Sequence, residues 1–257
     1  MKRNIVVAGN WKMHKINSEA LQLANQIRMK TTDIKNTSII VCPPFTALNP
    51  VYEVIKNSNV NLGAQNLLWE KEGAFTGEIS AGMIKSTGAT LVIIGHSERR
   101  QYFGETDETV NKKIKTALEH GLKPIVCVGE TLEQREANIT KEVVGNQIRG
   151  AFQDITPAQM EHIIVAYEPV WAIGTGKTAT PEQAQEVHAA IRALIAELYT
   201  DKIAEEIIIQ YGGSVKPANA EILLSQPDID GALIGGACLD ADSFSDVIHT
   251  AEKIVKD

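Results

Sequence analysis

The 257-residue sequence predicts an α/β fold, and within that class a closed (β/α)8 barrel. Three observations predict it. Short apolar runs recur along the whole chain; each is nearly continuous in Val, Ile, Leu and Ala; and amphipathic stretches separate them. A strand that is apolar along its full length is covered on both faces, as in a parallel sheet, whereas a strand with one wet face alternates. Parallel neighbours need crossover connections, and the amphipathic stretches supply them as helices. An open doubly wound sheet is the rival architecture. The length suits one domain spanning residues 1–257, and no linker, low-complexity tract or charge block divides it.

The elements follow in order. The first run is "NIVVAGNW" from Asn4, followed by "SEALQLANQIRMK", with Ser18 as a candidate helix N-cap. "SIIVCPP" from Ser38 and "VNLGAQN" from Val60 are the second and third runs. The connection after the third, Ala64 to Ser80, is long and partly apolar without a clear period. Such loops in compact domains are usually functional or interfacial. "TLVIIGH" from Thr90 is the fourth run, and the "SERR" behind it is placed to open a helix. "KPIVCVGE" from Lys123 and "HIIVAYEP" from His162 are the fifth and sixth. After a loop, a helix is predicted to start at Thr180, with Pro181 in the first helical position, where its missing N–H costs nothing. "EIIIQYGG" from Glu206 and "GALIGGA" from Gly231 complete the set of eight.

Bulk properties narrow the function classes. A hydrophobic content of 44% is enough to fill a large core. A net charge of −7 argues against a general nucleic-acid binder, which needs a basic face, but leaves a small anionic substrate open. Cys42, Cys127 and Cys238 are far apart and form neither a CxxC pair nor a disulfide framework, which favours a reducing compartment and a cytoplasmic location. The N-terminal "MKRNIVVAGN" is too short in apolar residues for a signal peptide, and no run approaches a membrane span. No metal-ligand spacing and no G-x-S-x-G nucleophile elbow occurs.

In a parallel barrel, sites form at the C-terminal ends of the strands. Read at those ends alone, the sequence concentrates polar and glycine residues: Asn10 and Lys12; His96, Ser97 and Glu98; Glu168; Gly212, Gly213 and Ser214; Gly235 and Gly236. Glu168, among apolar neighbours, is either a general base whose pKa desolvation raises or a salt-bridged strand terminus. His96 at the start of a helix would be kept neutral, able to donate to a carbonyl; the alternative is a satisfied core histidine. Lys12 is either a solvated surface lysine or the holder of an anion, with Glu98 its partner or only a first-turn helix residue. The two glycine pairs either make tight turns or let backbone N–H groups approach a phosphate at the seventh and eighth strands.

The segment after Glu168 carries "GTGKT". A phosphate loop of the G-x-x-x-x-G-K-[ST] type needs glycine at 171, and Trp171 stands there. Gly174 to Ala179 imitates G-x-G-x-x-A but does not open a helix directly. A lid fits better. It would run through Pro169, Val170, Trp171, Ala172, Ile173, Gly174, Thr175, Gly176 and Lys177, stiff at the proline, free at the glycines, with Trp171 as an apolar body to close over a ligand.

"AGNWKMH", "GAFTGEIS", "IIGHSERR", "AYEPVWAIGTGKTAT", "QYGGSV" and "IGGA" stand together in one order and spacing over the whole chain. In these motifs the sequence resembles the triosephosphate isomerase family. The resemblance implies a TIM barrel that interconverts dihydroxyacetone phosphate and glyceraldehyde 3-phosphate without metal or cofactor. It implies Glu168 as the base, neutral His96 as the group polarising the carbonyl, Lys12 stabilising the anion, Asn10 holding the site, and Glu98 pairing with Lys12 or supporting it. It assigns the phosphoryl group to Lys12, Gly174, Ser214, Gly235 and Gly236. It implies a homodimer in which the loop from Gln65 through Phe75, Thr76 and Gly77 to Glu78 inserts into a partner subunit. Two positions depart from the pattern. Cys238 stands where the family commonly has serine, with thiol sensitivity the only expected effect, and His14 where asparagine is frequent.

Overall fold

The computed structural model describes residues 3–173 and 178–254. Eight strands form a closed, all-parallel barrel in sequence order. They are β1 (Ile5–Asn10), β2 (Thr37–Cys42), β3 (Val60–Ala64), β4 (Leu91–Ile94), β5 (Lys123–Val128), β6 (Ile164–Tyr167), β7 (Ile208–Tyr211) and β8 (Gly231–Ile234). β1 pairs with β2 from Ile5↔Thr37 to Asn10↔Cys42, and with β8 from Val6↔Gly231, which closes the ring. Helices cover the outside, so the rival open sheet is excluded.

The continuous apolar runs have a simple cause. Side chains alternate between two faces of a strand, and here both faces are dry. One set, including Val6, Ala8, Ile40, Leu91, Ile93, Ile125, Cys127, Ile164, Ala166 and Leu233, packs inside the barrel. The other, including Val7, Ile39, Val41, Val92, Val126, Val165 and Ile209, packs against the helices.

Three boundaries differ from the sequence reading. The first helix is Asn17–Lys30, capped by Ile16, two residues earlier than a Ser18 cap, because the Glu19 carboxylate reaches back and accepts the Ile16 N–H at 3.0 Å. His162 lies in the turn before β6. Glu206 ends the helix Asp201–Glu206, whose last N–H, that of Ile207, donates to Ile203 C=O; β7 starts only at Ile208. At Thr180 the expectation holds. Its hydroxyl accepts the Gln183 N–H, Gln183 returns a bond to the Thr180 N–H, and Pro181 opens the helix Pro181–Leu198.

The long connection after β3 is closed at its base by Leu68 N–H to Ile79 C=O at 2.9 Å. Beyond that bond, residues 71–78 are exposed, including Phe75, Thr76, Gly77 and Glu78. Among the described residues, no helix is long and apolar enough to cross a membrane.

Candidate active site

The strand ends of one rim converge on a cavity of about 310 Å³ lined by Asn10, Lys12, His96, Glu168, Ser214 and Gly235, with Gly236 and Ile173 at its edge. Each residue is placed by its own local cause. Lys12 has left-handed backbone (φ 51°), which costs an L-residue on the order of 1 kcal/mol. Two hydrogen bonds hold it there. Its N–H donates to Asn10 Oδ1 at 3.0 Å, and its C=O accepts from Gln65 Nε2 at 2.8 Å. The ammonium then lies 2.6 Å from Glu98 Oε1, so the expected Lys12–Glu98 pair forms. It also lies against Gly235, where a Cβ would meet Lys12 Cε at 3.3 Å.

His96 is the N-cap of the helix Ser97–Phe103 and only 5% exposed. Its Nδ1 accepts the Glu98 N–H at 3.2 Å, an orphan donor of the helix start. An accepting Nδ1 carries no proton, so the ring's proton sits on Nε2. That nitrogen is 2.9 Å from Glu168 Oε1. Glu168, 2% exposed, follows β6 directly, and its second oxygen accepts the Ser97 N–H at 2.9 Å. Two glycines make room for it. A Cβ at Gly212 would fall 2.7 Å from Glu168 Cγ, and one at Gly129 would fall 1.7 Å from the Glu168 carbonyl oxygen.

A buried carboxylate, an imidazole and an ammonium therefore face one small cavity whose far wall carries two glycine turns and a serine. The model of the triosephosphate isomerase family matches residues 5–251. The chain belongs to the triosephosphate isomerase family. It is 54% identical over 249 residues to the triosephosphate isomerase of Alkaliphilus oremlandii, covering 96% of this chain and 99% of that one. The corresponding protein of Endomicrobium trichonymphae is 55% identical over 246 residues, 96% of this chain and 98% of its own. That of Chloroherpeton thalassium is 54% identical over 251 residues, 97% and 100% of the two chains.

Against the triosephosphate isomerase pattern, three expectations change. Desolvation does act first on Glu168 and pushes its carboxyl up, but His96, the Ser97 N–H and Lys12 outweigh it, and the pKa is lowered from 4.5. On His96, burial is again the largest influence and favours the neutral ring. The Glu168 carboxylate outweighs it, and the ring's pKa is raised from 6.5. Third, Cys238 adds no sensitive thiol. It is fully buried, its Sγ donates to Asn10 C=O at 3.5 Å, and burial pushes its pKa up.

The lid residues divide. Pro169 leads into a short turn, Val170–Ala172, and Ala172 and Ile173 line the cavity. Trp171 is not over the cavity. Its Nε1 donates to Glu130 Oε1 at 2.8 Å, and Arg135 lies 6.0 Å above its ring. Gly174, Thr175, Gly176 and Lys177 lie outside the described residues.

Sequence reasoning missed two supports and one further pair of bonds. Ser97 contributes through its backbone, which no side-chain pattern reveals. Glu130 accepts from both Trp171 and Tyr167, and burial, the first influence on it, holds its carboxyl above the ordinary range. Gln65, assigned to a subunit interface, bonds its own chain's Lys12 and Cys42 carbonyls.

Proposed function

We propose that Glu168, His96, Lys12 and Asn10 perform the family's reaction in this chain, the interconversion of dihydroxyacetone phosphate and D-glyceraldehyde 3-phosphate. The observation that carries the assignment is the contact between the buried Glu168 carboxylate and the protonated Nε2 of a helix-capping histidine, beside the Lys12 ammonium. The reaction moves one proton between adjacent carbons and one between the oxygens they carry; His96 Nε2 gives a proton to the first oxygen and takes one back from the second. Glu168 leaves the Ser97 N–H and takes the proton from the carbon next to the carbonyl. His96 donates its Nε2 hydrogen bond to the carbonyl oxygen as negative charge develops there, and Lys12 stabilises the enediolate. Glu168 returns the proton to the neighbouring carbon. With the carboxylate gone from His96, burial and Lys12 both favour the neutral ring, which donates without becoming a strong acid.

Ser214 and the Gly235–Gly236 turn bind the phosphoryl group, with Lys12 at its edge. Their support is the shared cavity and the absence of side chains that would fill it. Gly174 joins them as the lid, Pro169 to Lys177, closes. No metal or cofactor takes part.

The chain works as one barrel domain, in the cytoplasm, as a homodimer. The reduced, buried cysteines support the location. Supporting the dimer are Met13, Phe75, Met83, Tyr102 and Phe103, large apolar side chains left exposed on loops and helices that follow β1, β3 and β4. Replacement Glu168→Asp tests the base. Withdrawing the carboxylate by one methylene should lower kcat roughly 10²-fold while KM changes little; an unchanged kcat removes Glu168 from the role.

A further inference from the structure

Gln147 belongs to the outer helix Thr140–Ala151 and does not line the cavity of the candidate site. Its amide bonds both backbone groups of a single residue. The Gly129 N–H donates to Gln147 Oε1 at 2.7 Å, and Gln147 Nε2 donates to the Gly129 C=O at 3.0 Å. The pair imitates the reciprocal bonds between two strand residues, with a side-chain amide standing in for a backbone.

Gly129 is the first residue past β5, and it has no slack on its other side. The 1.7 Å approach of a Cβ to the Glu168 carbonyl oxygen means the two backbones are in direct contact. The flanking residues bind the same segment. The Val128 C=O accepts the Glu168 N–H at 2.7 Å, and the Glu130 C=O accepts the Val170 N–H at 3.0 Å. The Glu130 carboxylate accepts from Tyr167 and Trp171. Residues 128–130 therefore grip the chain just before, at and just after Glu168, and the outer helix grips residue 129.

We propose that Gln147 is a positioning residue for the isomerisation: by clamping the Gly129 peptide it sets where the Glu168 backbone sits, and with it the reach of the carboxylate and the root of the lid. The inference rests on Glu168 being the base. A displacement of this kind acts on kcat, because the phosphate wall on β7 and β8 is not part of the clamp.

Two variants separate positioning from a tie that merely stabilises the fold. In Gln147→Glu, the neutral acid keeps an acceptor for the Gly129 N–H and an O–H donor for its C=O. Once ionised, it turns an oxygen on that carbonyl. The ratio of variant to wild-type kcat should be roughly tenfold below one at about pH 7 and climb toward one as the pH is lowered through the titration of the introduced carboxyl, about pH 4 to 5 for an ordinary glutamate, with KM within about twofold. Gln147→Leu should show about the same tenfold loss at every pH. Circular dichroism at each pH reports folding. A flat kcat ratio for Gln147→Glu, or a folded Gln147→Leu with wild-type kcat, overturns the proposal whatever happens to Tm. A loss that only tracks unfolding also overturns it. If Gln147→Leu does not fold, the acid form of Gln147→Glu decides. Failure of the base assignment is read separately, from Glu168→Gln.

Discussion

At the scale of single residues, the site works through opposed influences on two buried groups. His96 feels burial pulling its pKa down and Glu168 pushing it up, and Glu168 prevails in the resting pair. The sign of one experiment follows. In Glu168→Gln the carboxylate is gone, while burial and Lys12, which lower the histidine, and Glu98, which raises it, are the same in both proteins. The His96 ring, followed by NMR, should therefore titrate at lower pH in the variant than in the wild type. An unchanged or raised value contradicts the pairing. The residue identities of this site were legible in the sequence because each stands at a strand end, where a polar group breaks an apolar run. Their couplings were not. His96 and Glu168 meet across 72 positions of sequence, and no local period encodes that distance. The lowered pKa of Glu168 depends on the Ser97 N–H, a group every residue but proline possesses.

At the scale of elements, glycines at strand ends do two jobs that look identical in sequence. Gly235 and Gly236 line the cavity, whereas Gly212 clears space for the Glu168 side chain. In Gly212→Ala the new methyl would sit 2.7 Å from Glu168 Cγ, too close for contact. The expected result is a folded protein whose kcat falls about tenfold or more, since a small misplacement of the reacting group is costly. Inorganic phosphate should still bind, as measured by calorimetry. Wild-type kcat in that variant contradicts the packing described. Eight strands and the helix at Pro181 were readable because burial on both faces and proline capping are local signals. The start of β7 was not, because "EIIIQYGG" is uniformly apolar after Glu206 and the preceding helix extends into it.

At the scale of the whole molecule, closure of the barrel brings strand ends from the first and last thirds of the chain together, which is why Lys12 lies against Gly235. The exposed apolar side chains after β1, β3 and β4 lie at the same rim. Tyr102 and Phe103 are 69% and 68% exposed and Met13 is 95% exposed, a large cost for a monomer to leave in water. Phe75→Glu places a charge at the tip of the exposed loop. Sedimentation should show the wild type as a dimer and the variant as a monomer, with turnover reduced. A fully active monomeric wild type contradicts this assembly. The length and apolar content of the loop were legible in the sequence; the bonds from Gln65 to the Lys12 and Cys42 carbonyls of its own chain were not, because they join positions 53 and 23 residues apart.

One measurement tests the central claim most directly: the rate of glyceraldehyde 3-phosphate isomerisation by the purified protein in a chelator, beside Glu168→Gln. Rapid turnover is expected in the wild type, with a loss of about 10³-fold or more in a folded Glu168→Gln. Turnover close to wild type in that variant would contradict the account, because the carboxylate would then not be the base.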